Sequence, residues 1–337
     1  MQFILNLHLF NKHIYSYLAI CLSIVANVLT QNDFEAKGIY AKKEHSLVKP
    51  YQGTGMTIPN WDFFGSTMVT TSFIRITPDL QSRQGGLWNK SPYSFRNWET
   101  QIHFKVSGHG KDLYGDGMAF WYTRDPLKPG PVFGNADPFV GLSVFLDTYA
   151  NQNGIHSHGH PYISAMVNNG SNHYDHDRDG THSELAGCES KFRGVDEDTF
   201  IAIRYENDIL TVSTNIDGNN EWKECFSVKG VRLPTGYHFG VTAATGDLSD
   251  NHDIVSIKTY ELEVPSVMNP LEDRSQIIPS ASIFASPRDH TPDPPPPMSG
   301  FKLFLIILCA IIGVIVCVVV GIMVFQKNQE NSRKRFY

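Results

Sequence analysis

Residues 98–108 have the sequence WETQIHFKVSG, in which polar and apolar side chains alternate. Successive side chains of a strand point to opposite faces of a sheet. Ile102, Phe104 and Val106 therefore fall on one face, and the polar residues between them fall on the other. The alternation predicts a β-strand with one buried face and one face in water.

Seven further runs are rich in Val, Ile, Thr, Phe and Tyr, and Gly, Asn, Asp or Pro bounds most of them, as expected of strands and turns. They lie at 66–77, 116–125, 139–149, 161–170, 198–215, 237–247 and 253–264. No long stretch before residue 300 follows the 3.6-residue period of a helix. Many antiparallel strands over this length predict two packed sheets or a barrel.

The β-rich region, residues 31–264, is long enough for a sizeable core and has the size of a one-domain β-sandwich. The whole chain has 337 residues and a net charge of −6. No Lys/Arg-rich stripe occurs in the β-rich region, so the charge pattern gives no indication of nucleic-acid binding.

The segment 301–325, FKLFLIILCAIIGVIVCVVVGIMVF, carries one charge, at Lys302. Its length matches the roughly 20 apolar residues that a helix needs to cross a bilayer. In the tail 326–337 the basic residues outnumber Glu330, which predicts a cytoplasmic tail. The sequence thus predicts a type I membrane protein whose β-domain lies on the lumenal or extracellular side.

The amino terminus agrees with this topology. Lys12 and His13 precede an apolar run at 14–29, which predicts a secretory signal peptide over residues 1–30. An uncleaved signal anchor is the alternative. Between the β-domain and the membrane segment, residues 265–300 are rich in proline, including the run 294–297, which predicts a semi-rigid lumenal stalk.

The chain has five cysteines. Cys21 lies in the predicted signal peptide, and Cys309 and Cys317 lie in the predicted membrane helix. Cys188 and Cys225 remain as the only lumenal pair, and in an oxidising compartment we expect them to form a disulfide.

One group of residues has the chemistry of a metal site. In the run VFLDTYANQNG, the apolar strand ends in Asp147, Tyr149 and Asn151. The loop YDHDRDG, which contains Asp179, follows some 25 residues later. Oxygen donors from a strand end and a second loop are the ligands that Ca²⁺ requires. The alternative is that these residues only form turns.

Three other interpretations of the sequence are weaker. DHDRDG begins like an EF-hand loop, but Ala186 stands where that loop needs a bidentate Glu. The run 156–160, HSHGH, has three histidines, and imidazole is a good ligand for zinc. The polar residues around them instead favour a loop tip with solvated histidine side chains. Among catalytic motifs, the G-x-S-x-G, H-E-x-x-H and E-x-D-x-x-E patterns are absent from the sequence.

Several of these runs, taken together, resemble a known family. They are GDGMAFWYTRD (115–125), FLDTYANQ (145–152), YISAMVNNGS (162–171), YDHDRDG (174–180), ELAGCESKFR (184–193), LPTGYHFGVTAATGDLSDNHDI (233–254) and the terminal KRFY. The family is that of the leguminous-type (L-type) cargo lectins of the early secretory pathway. The vesicular integral membrane protein branch, with its ER-resident relative, is the most similar, and the resemblance extends from about Glu44 to Tyr337.

The resemblance implies an all-β, concanavalin-like antiparallel sandwich that binds high-mannose N-glycans with Ca²⁺ and is not an enzyme. It also implies a receptor that accompanies glycoprotein cargo between the endoplasmic reticulum, the intermediate compartment and the Golgi. In the tail, Arg333, Lys334 and Arg335 would favour retention, while Phe336 and Tyr337 would favour export through vesicle coat proteins.

The resemblance also assigns residues. It gives calcium the ligands Asp147, Asn151, Asp179 and, through its carbonyl, Tyr149. It gives the sugar the residues Ser82, Asp116, Asn151, His176, Gly246, Asp247 and Leu248.

Two further expectations concern single residues. Asn169 begins an N-glycosylation sequon in a predicted surface turn. An imidazole of pKa near ~6.5 at His176 predicts weaker glycan binding between roughly pH 7 and 6. Carboxylates, with ordinary pKa values near ~4, are expected to titrate too low to contribute.

Overall fold

The alternation at 98–108 belongs to a long strand, Asn97–Ser107, in the middle of an antiparallel sheet in the computed structural model of the protein. The structure describes residues 39–51, 57–151, 158–219, 221–264, 273–281 and 322–323. The predicted signal peptide and cytoplasmic tail lie outside these ranges, as does the predicted membrane helix apart from two of its residues. In the described part of the chain, no helix is both long and apolar enough to cross a membrane.

The strands alternate with loops and with three short 3₁₀ turns, Lys43–His45, His176–Arg178 and Arg274–Gln276. In chain order they are β1 (Ile39–Ala41), β2 (Trp61–Gly65), β3 (Met68–Val69), β4 (Ile74–Thr77), β5 (Gln84–Asn89), β6 (Asn97–Ser107), β7 (Gly117–Thr123), β8 (Val140–Asp147), β9 (Tyr162–Asn169), β10 (Ala186–Glu189), β11 (Thr199–Glu206), β12 (Ile209–Asn215), β13 (Lys223–Lys229), β14 (Val231–Arg232), β15 (His238–Ala244), β16 (Asn251–Leu262) and β17 (Ser280–Ala281).

Two large sheets form the domain. The first has the order β13-β12-β11-β6-β16-β4-β3, with β1 also paired to β16, and the second has the order β10-β9-β8-β7-β15-β5-β2. Every pairing within them is antiparallel. The prediction of an all-β antiparallel sandwich is confirmed.

Each sheet contributes one apolar face to the main core. Alternate residues of β6 such as Ile102, Phe104 and Val106 meet alternate residues of β8 such as Leu142 and Val144 there. Burial of this apolar surface is the main favourable contribution to folding.

A second apolar cluster covers the opposite face of the second sheet. It contains Trp121, Phe133, Phe145 and Tyr174. Phe133 and Tyr174 come from the loops that follow β7 and β9, so these loops are packed against the sheet. They are thereby held in place beside one end of β8.

All eight predicted runs contain strands, but β1, β2, β5, β10, β13, β14 and β17 were not predicted. The sequence of β5, QGGLWN, places two glycines in a strand, a residue type that strands usually avoid. Close packing requires them: a Cβ at Gly85 would lie 2.0 Å from the carbonyl oxygen of Ile76, and one at Gly86 would lie 2.3 Å from the Phe64 ring.

The predicted disulfide is present. Cys188 of β10 and Cys225 of β13 are bonded, with their Cα atoms 5.5 Å apart and a sequence separation of 37. Because β10 is an edge strand of one sheet and β13 an edge strand of the other, the bond joins the two layers.

Residues 273–281, which the sequence assigns to the stalk, pack against the sandwich. β17 pairs with β14. The Arg274 side chain is 4% exposed, donates a 2.9 Å hydrogen bond to the Tyr205 hydroxyl and forms an ion pair with Asp208.

Candidate functional site

Three adjacent strands bring the predicted site residues to one end of the second sheet. Gly117 at the start of β7 pairs with Asp147 at the end of β8 and with Ala244 at the end of β15. In antiparallel pairing the beginning of one strand lies beside the ends of its neighbours. Asp116, Asp147 and the loop that follows β15 therefore meet at this end.

The alternation along β8 decides which way Asp147 points. Leu142, Val144 and Leu146 face the core between the sheets, whereas Phe145 packs in the outer cluster. Asp147 is two residues beyond Phe145 and so lies on the outer face. Its carboxylate thus faces the two loops that cover the sheet.

A cleft of about 270 Å³ opens at this end of the sheet. It is lined by Asp116, Pro131, Phe133, Asp147, Asn151 and His176. Four of these six residues were assigned to the calcium or sugar site from the sequence. Pro131 and Phe133 were not, because nothing in their own sequence indicates that their loop folds back over the sheet.

Backbone N–H groups donate to both predicted calcium carboxylates, and one of these bonds joins the two predicted segments. The Tyr149 N–H donates to Asp147 Oδ1 at 3.0 Å, and the Asn151 N–H donates to Asp179 Oδ1 at 2.9 Å. Asp147 and Asp179 are only 6% and 5% exposed. The structure therefore brings both loops and both carboxylates to one place, as the sequence predicts.

These carboxylates lie in an electrostatically unfavourable environment. Burial raises the pKa of Asp147 well above its usual range, and the charges of Asp179 and Asp116 add to this effect. In the described part of the chain, no Lys or Arg forms an ion pair with Asp147 or Asp116. Burial of a carboxylate such as Asp147 without a neighbouring Lys or Arg is costly, and oxygen donors in this arrangement are what Ca²⁺ binds. The residues present thus fit a calcium ion.

Asp116 has a raised pKa as well. Burial, followed by the charge of Asp247, raises it to about 6. The expectation that carboxylates titrate too low to act between roughly pH 7 and 6 is therefore wrong for Asp116. Sequence reasoning missed this effect because both of its causes, burial and the approach of Asp247, arise only in the folded chain.

His176 also lines the cleft. Its Nε2 lies 3.0 Å from the Pro131 carbonyl oxygen, and its ring meets the Tyr174 ring edge-on at 4.7 Å between centroids. Burial lowers the pKa of His176, against the opposing effect of the Pro131 contact. Its protonation thus needs a lower pH than the sequence-based expectation assumed.

The predicted sugar loop lies next to Asp116. A Cβ at Gly246 would lie 3.1 Å from Asp116 Oδ2, so the missing side chain leaves room for this approach. The Ser82 N–H donates to the Gly246 carbonyl at 3.0 Å, and the Gln81 amide donates to the Asp247 carbonyl at 2.6 Å.

Leu248 lies on the other side of Asp116, near Gly115. A Cβ built there would approach the Cβ atoms of Tyr149 and Leu248 at 3.0 and 3.7 Å. The predicted sugar residues thus gather around the cleft, with Ser82 attached at its edge.

His160 is a residue of this region that the sequence interpretation placed wrongly. Its side chain is 6% exposed, and its Nε2 lies 3.9 Å from Asp147 Oδ2. His158 stacks on Tyr162 with 3.5 Å between the ring centroids. The prediction of solvated histidines is wrong for His160, because the chain turns inward before β9; His156 lies outside the described residues.

The two candidate glycosylation positions differ in exposure. Asn169 is exposed at the end of β9, and its side-chain oxygen accepts hydrogen bonds from Ser171. Asn89 also begins a sequon, but it is 1% exposed and its amide donates to the carbonyl oxygens of Glu44 and Asn60.

Comparison with known proteins gives three findings. The family model described as the legume-like lectin family matches residues 39–269. The vesicular integral-membrane protein VIP36 of Mus musculus is 51% identical over 329 residues, which cover 95% of this chain and 90% of the relative. The VIP36-like protein of Homo sapiens is 51% identical over 303 residues, which cover 88% of this chain and 86% of the relative.

The fold agrees with these sequence relationships. The crystal structure of the VIP36 exoplasmic/lumenal domain in its Ca²⁺/Man2-bound form superposes with a TM-score of 0.69 and 53% identity, over 72% of this chain and 98% of that one. The metal-free form of the same domain superposes with a TM-score of 0.67. A family match over most of the chain, an identity of about half and a shared sandwich lead to one conclusion: the chain belongs to the legume-like lectin family.

Proposed function

We propose that the protein is a Ca²⁺-dependent lectin that binds high-mannose N-glycans on glycoproteins and serves as their cargo receptor in the early secretory pathway. The observation that carries the proposal is the cleft, in which the buried Asp147 and Asn151 lie beside Asp116. The buried Asp179 carboxylate accepts a hydrogen bond from the Asn151 N–H. VIP36, whose lumenal domain has been crystallised with Ca²⁺ and mannose ligands, shares about half of its residues with this chain.

We assign the calcium to the side chains of Asp147, Asn151 and Asp179 and to the carbonyl oxygen of Tyr149. When bound, calcium would supply positive charge that neutralises the two carboxylates and holds their loops in one arrangement. The hydrogen bonds from Tyr149 to Asp147 and from Asn151 to Asp179 already pre-arrange this set. Such pre-arrangement lowers the entropy that ordering the loops would cost on binding.

We assign the sugar to the same cleft. Asp116, in its ionised form, accepts hydrogen bonds from sugar hydroxyls, and the Asn151 amide offers its N–H donors to the sugar while its oxygen faces calcium. His176 and the 246–248 loop form the walls, and Ser82 makes a peripheral contact.

The remaining parts of the proposal concern the cell. The signal peptide and the membrane segment would make the protein a single-pass type I membrane protein of the endoplasmic reticulum, intermediate compartment or Golgi, with the lectin domain in the lumen. The tail would contact vesicle coat proteins through residues 333–337. The exposed Asn169 would carry an N-glycan.

A glycan array tests the proposal. The full chain, purified in detergent, is applied in calcium and again after EDTA treatment. We expect binding to high-mannose glycans in calcium and its loss in EDTA. Binding that survives EDTA would contradict the calcium assignment, and no glycan binding under either condition would contradict the lectin itself.

A further inference from the structure

The side chain of His160 lies among the acidic residues of the cleft without a role in calcium or sugar binding. It is 6% exposed, and its Nε2 lies 3.9 Å from Asp147 Oδ2. Within the described residues, neither of its ring nitrogens makes a hydrogen bond of standard geometry. Buried polar groups are normally hydrogen-bonded, so an imidazole left in this state points to a ligand.

The arrangement of the donor atoms indicates what that ligand is. One atom each from Asp147, His160 and Asp179 lie within 4.8 Å of one another. The 3.9 Å separation between His160 and Asp147 is too long for a hydrogen bond. It is suitable for two ligands of one ion, each about 2.1 Å from the metal.

The donor types select the class of ion. Calcium takes oxygen ligands, so His160 adds nothing to its shell. A neutral imidazole with two carboxylates suits divalent transition metals, in particular Zn²⁺, which often has three protein ligands and a water molecule.

The same two carboxylates limit the site to one ion at a time. Calcium and zinc would both need Asp147 and Asp179. One oxygen of each carboxylate already accepts a backbone N–H, from Tyr149 and from Asn151, so the two ions would compete for the same carboxylate oxygens. Binding of one ion is therefore expected to oppose binding of the other.

We propose that Asp147, His160 and Asp179 bind a divalent transition-metal ion of the Zn²⁺ type in competition with calcium. The competition rests on the calcium assignment made above, because it is through the shared carboxylates that zinc excludes calcium. Zinc bound in this way removes calcium from Asn151 and so releases the glycan.

A metal competition experiment tests the proposal on the full chain in detergent, stripped of metal by chelation. Radioactive calcium binding is measured first without zinc, and then with increasing ZnCl₂, in the parent and in His160→Gln. Zinc content per chain is measured in parallel by equilibrium dialysis and elemental analysis. His173→Asn is the control, since it removes an exposed imidazole that pairs with Asp137 instead.

We expect zinc to displace calcium from the parent and from His173→Asn. In His160→Gln, calcium affinity is retained and displacement needs at least about tenfold more zinc, because loss of even an outer-shell group costs 10–100-fold in metal affinity. His160→Cys, which supplies a thiolate ligand for zinc, restores displacement. This variant also keeps the test decisive if His160→Gln does not fold.

Equal displacement in the parent and in His160→Gln would overturn the proposal, as would zinc that binds through His160 without displacing calcium. The failure of the proposed function gives a different result: the parent then binds no calcium in the first measurement, before zinc is added.

Discussion

The carbonyl oxygen of Asp116 accepts two hydrogen bonds from Thr148, one from its N–H and one from its hydroxyl, each 2.9 Å long. Thr148 stands between Asp147 and Tyr149, two proposed calcium ligands, and Asp116 is the proposed sugar acceptor. The proposed calcium-binding segment is thus hydrogen-bonded directly to Asp116, the residue proposed to contact the sugar. This contact gives a structural reason for sugar binding to depend on calcium.

The first prediction concerns this contact. Thr148→Val removes the hydroxyl bond and keeps the N–H bond, so Asp116 should lose part of its support. A neutral hydrogen bond contributes about 0.5–1.5 kcal/mol, so we expect mannose affinity to fall about two- to tenfold with calcium affinity retained. Titration calorimetry with mannobiose measures the first affinity, and titration with calcium measures the second.

A matched control lies at the other end of β7. The Thr123 hydroxyl is buried and has no hydrogen-bond partner among the described residues. Thr123→Val should leave mannose affinity unchanged. If Thr148→Val also left it unchanged, the contact with Asp116 would not transmit order to the sugar site.

The second prediction separates the ion from the sugar. Asp147→Ala and Asn151→Ala each remove an oxygen from the proposed calcium shell and should abolish mannose binding, while the large core keeps the domain folded. Asp116→Ala should lose mannose binding and largely keep calcium affinity. Calcium titration, mannose binding and circular dichroism of the three variants check this; calcium loss in Asp116→Ala would mean that the two roles have been confused.

The third prediction concerns pH. Asp116 has its pKa raised to about 6, and only its ionised form accepts hydrogen bonds through both oxygens. Mannose affinity should therefore be present above about pH 6 and be lost as the pH falls through that value. Bound calcium stabilises the ionised form, so the midpoint should move to lower pH as calcium is raised.

Two variants identify the group that titrates. In Asp247→Asn the neighbouring charge that raises the Asp116 pKa is removed, so the midpoint should move down. In His176→Gln the midpoint should be the same as in the parent. Burial lowers the pKa of His176, so we expect this histidine to be protonated only at lower pH. A midpoint that moves in His176→Gln and not in Asp247→Asn would assign the pH dependence to the histidine.

The fourth prediction concerns the bond between the sheets. Cys188 and Cys225 should appear in one linked fragment on non-reducing peptide mapping. Their joint replacement by serine should lower the free energy of unfolding by up to roughly 3–4 kcal/mol, from the loop that the bond closes. Denaturant titration followed by tryptophan fluorescence measures this difference, and free thiols in protein that has passed through the secretory pathway would contradict the pairing.

Parts of the fold and site that depend on local patterns could be predicted from the sequence. The alternation in β6 and the oxygen donors after β8 are examples, since a strand period and a strand end are visible in neighbouring residues. The 3₁₀ turn that precedes Asp179 was not predicted, but the density of carboxylates in its loop was enough to indicate a cation.

The parts that were missed depend on contacts distant in sequence. Gly85 and Gly86 disfavour a strand on propensity, yet Ile76 and Phe64 pack so closely that only glycine fits. His160 lies in a polar loop, and only the folded chain shows that it turns toward Asp147. Phe133 lines the cleft because its loop packs on the outer face of the second sheet, which no short-range pattern indicates.

The central claim is that calcium creates the sugar site, and it is tested most directly by measuring calcium affinity with and without saturating mannobiose. If calcium raises mannose affinity by some factor, mannose must raise calcium affinity by the same factor. We predict that mannobiose increases calcium affinity in the parent and has no such effect in Asp116→Ala. A calcium affinity that is the same with and without the sugar, or mannose binding of full strength in EDTA, would contradict the claim.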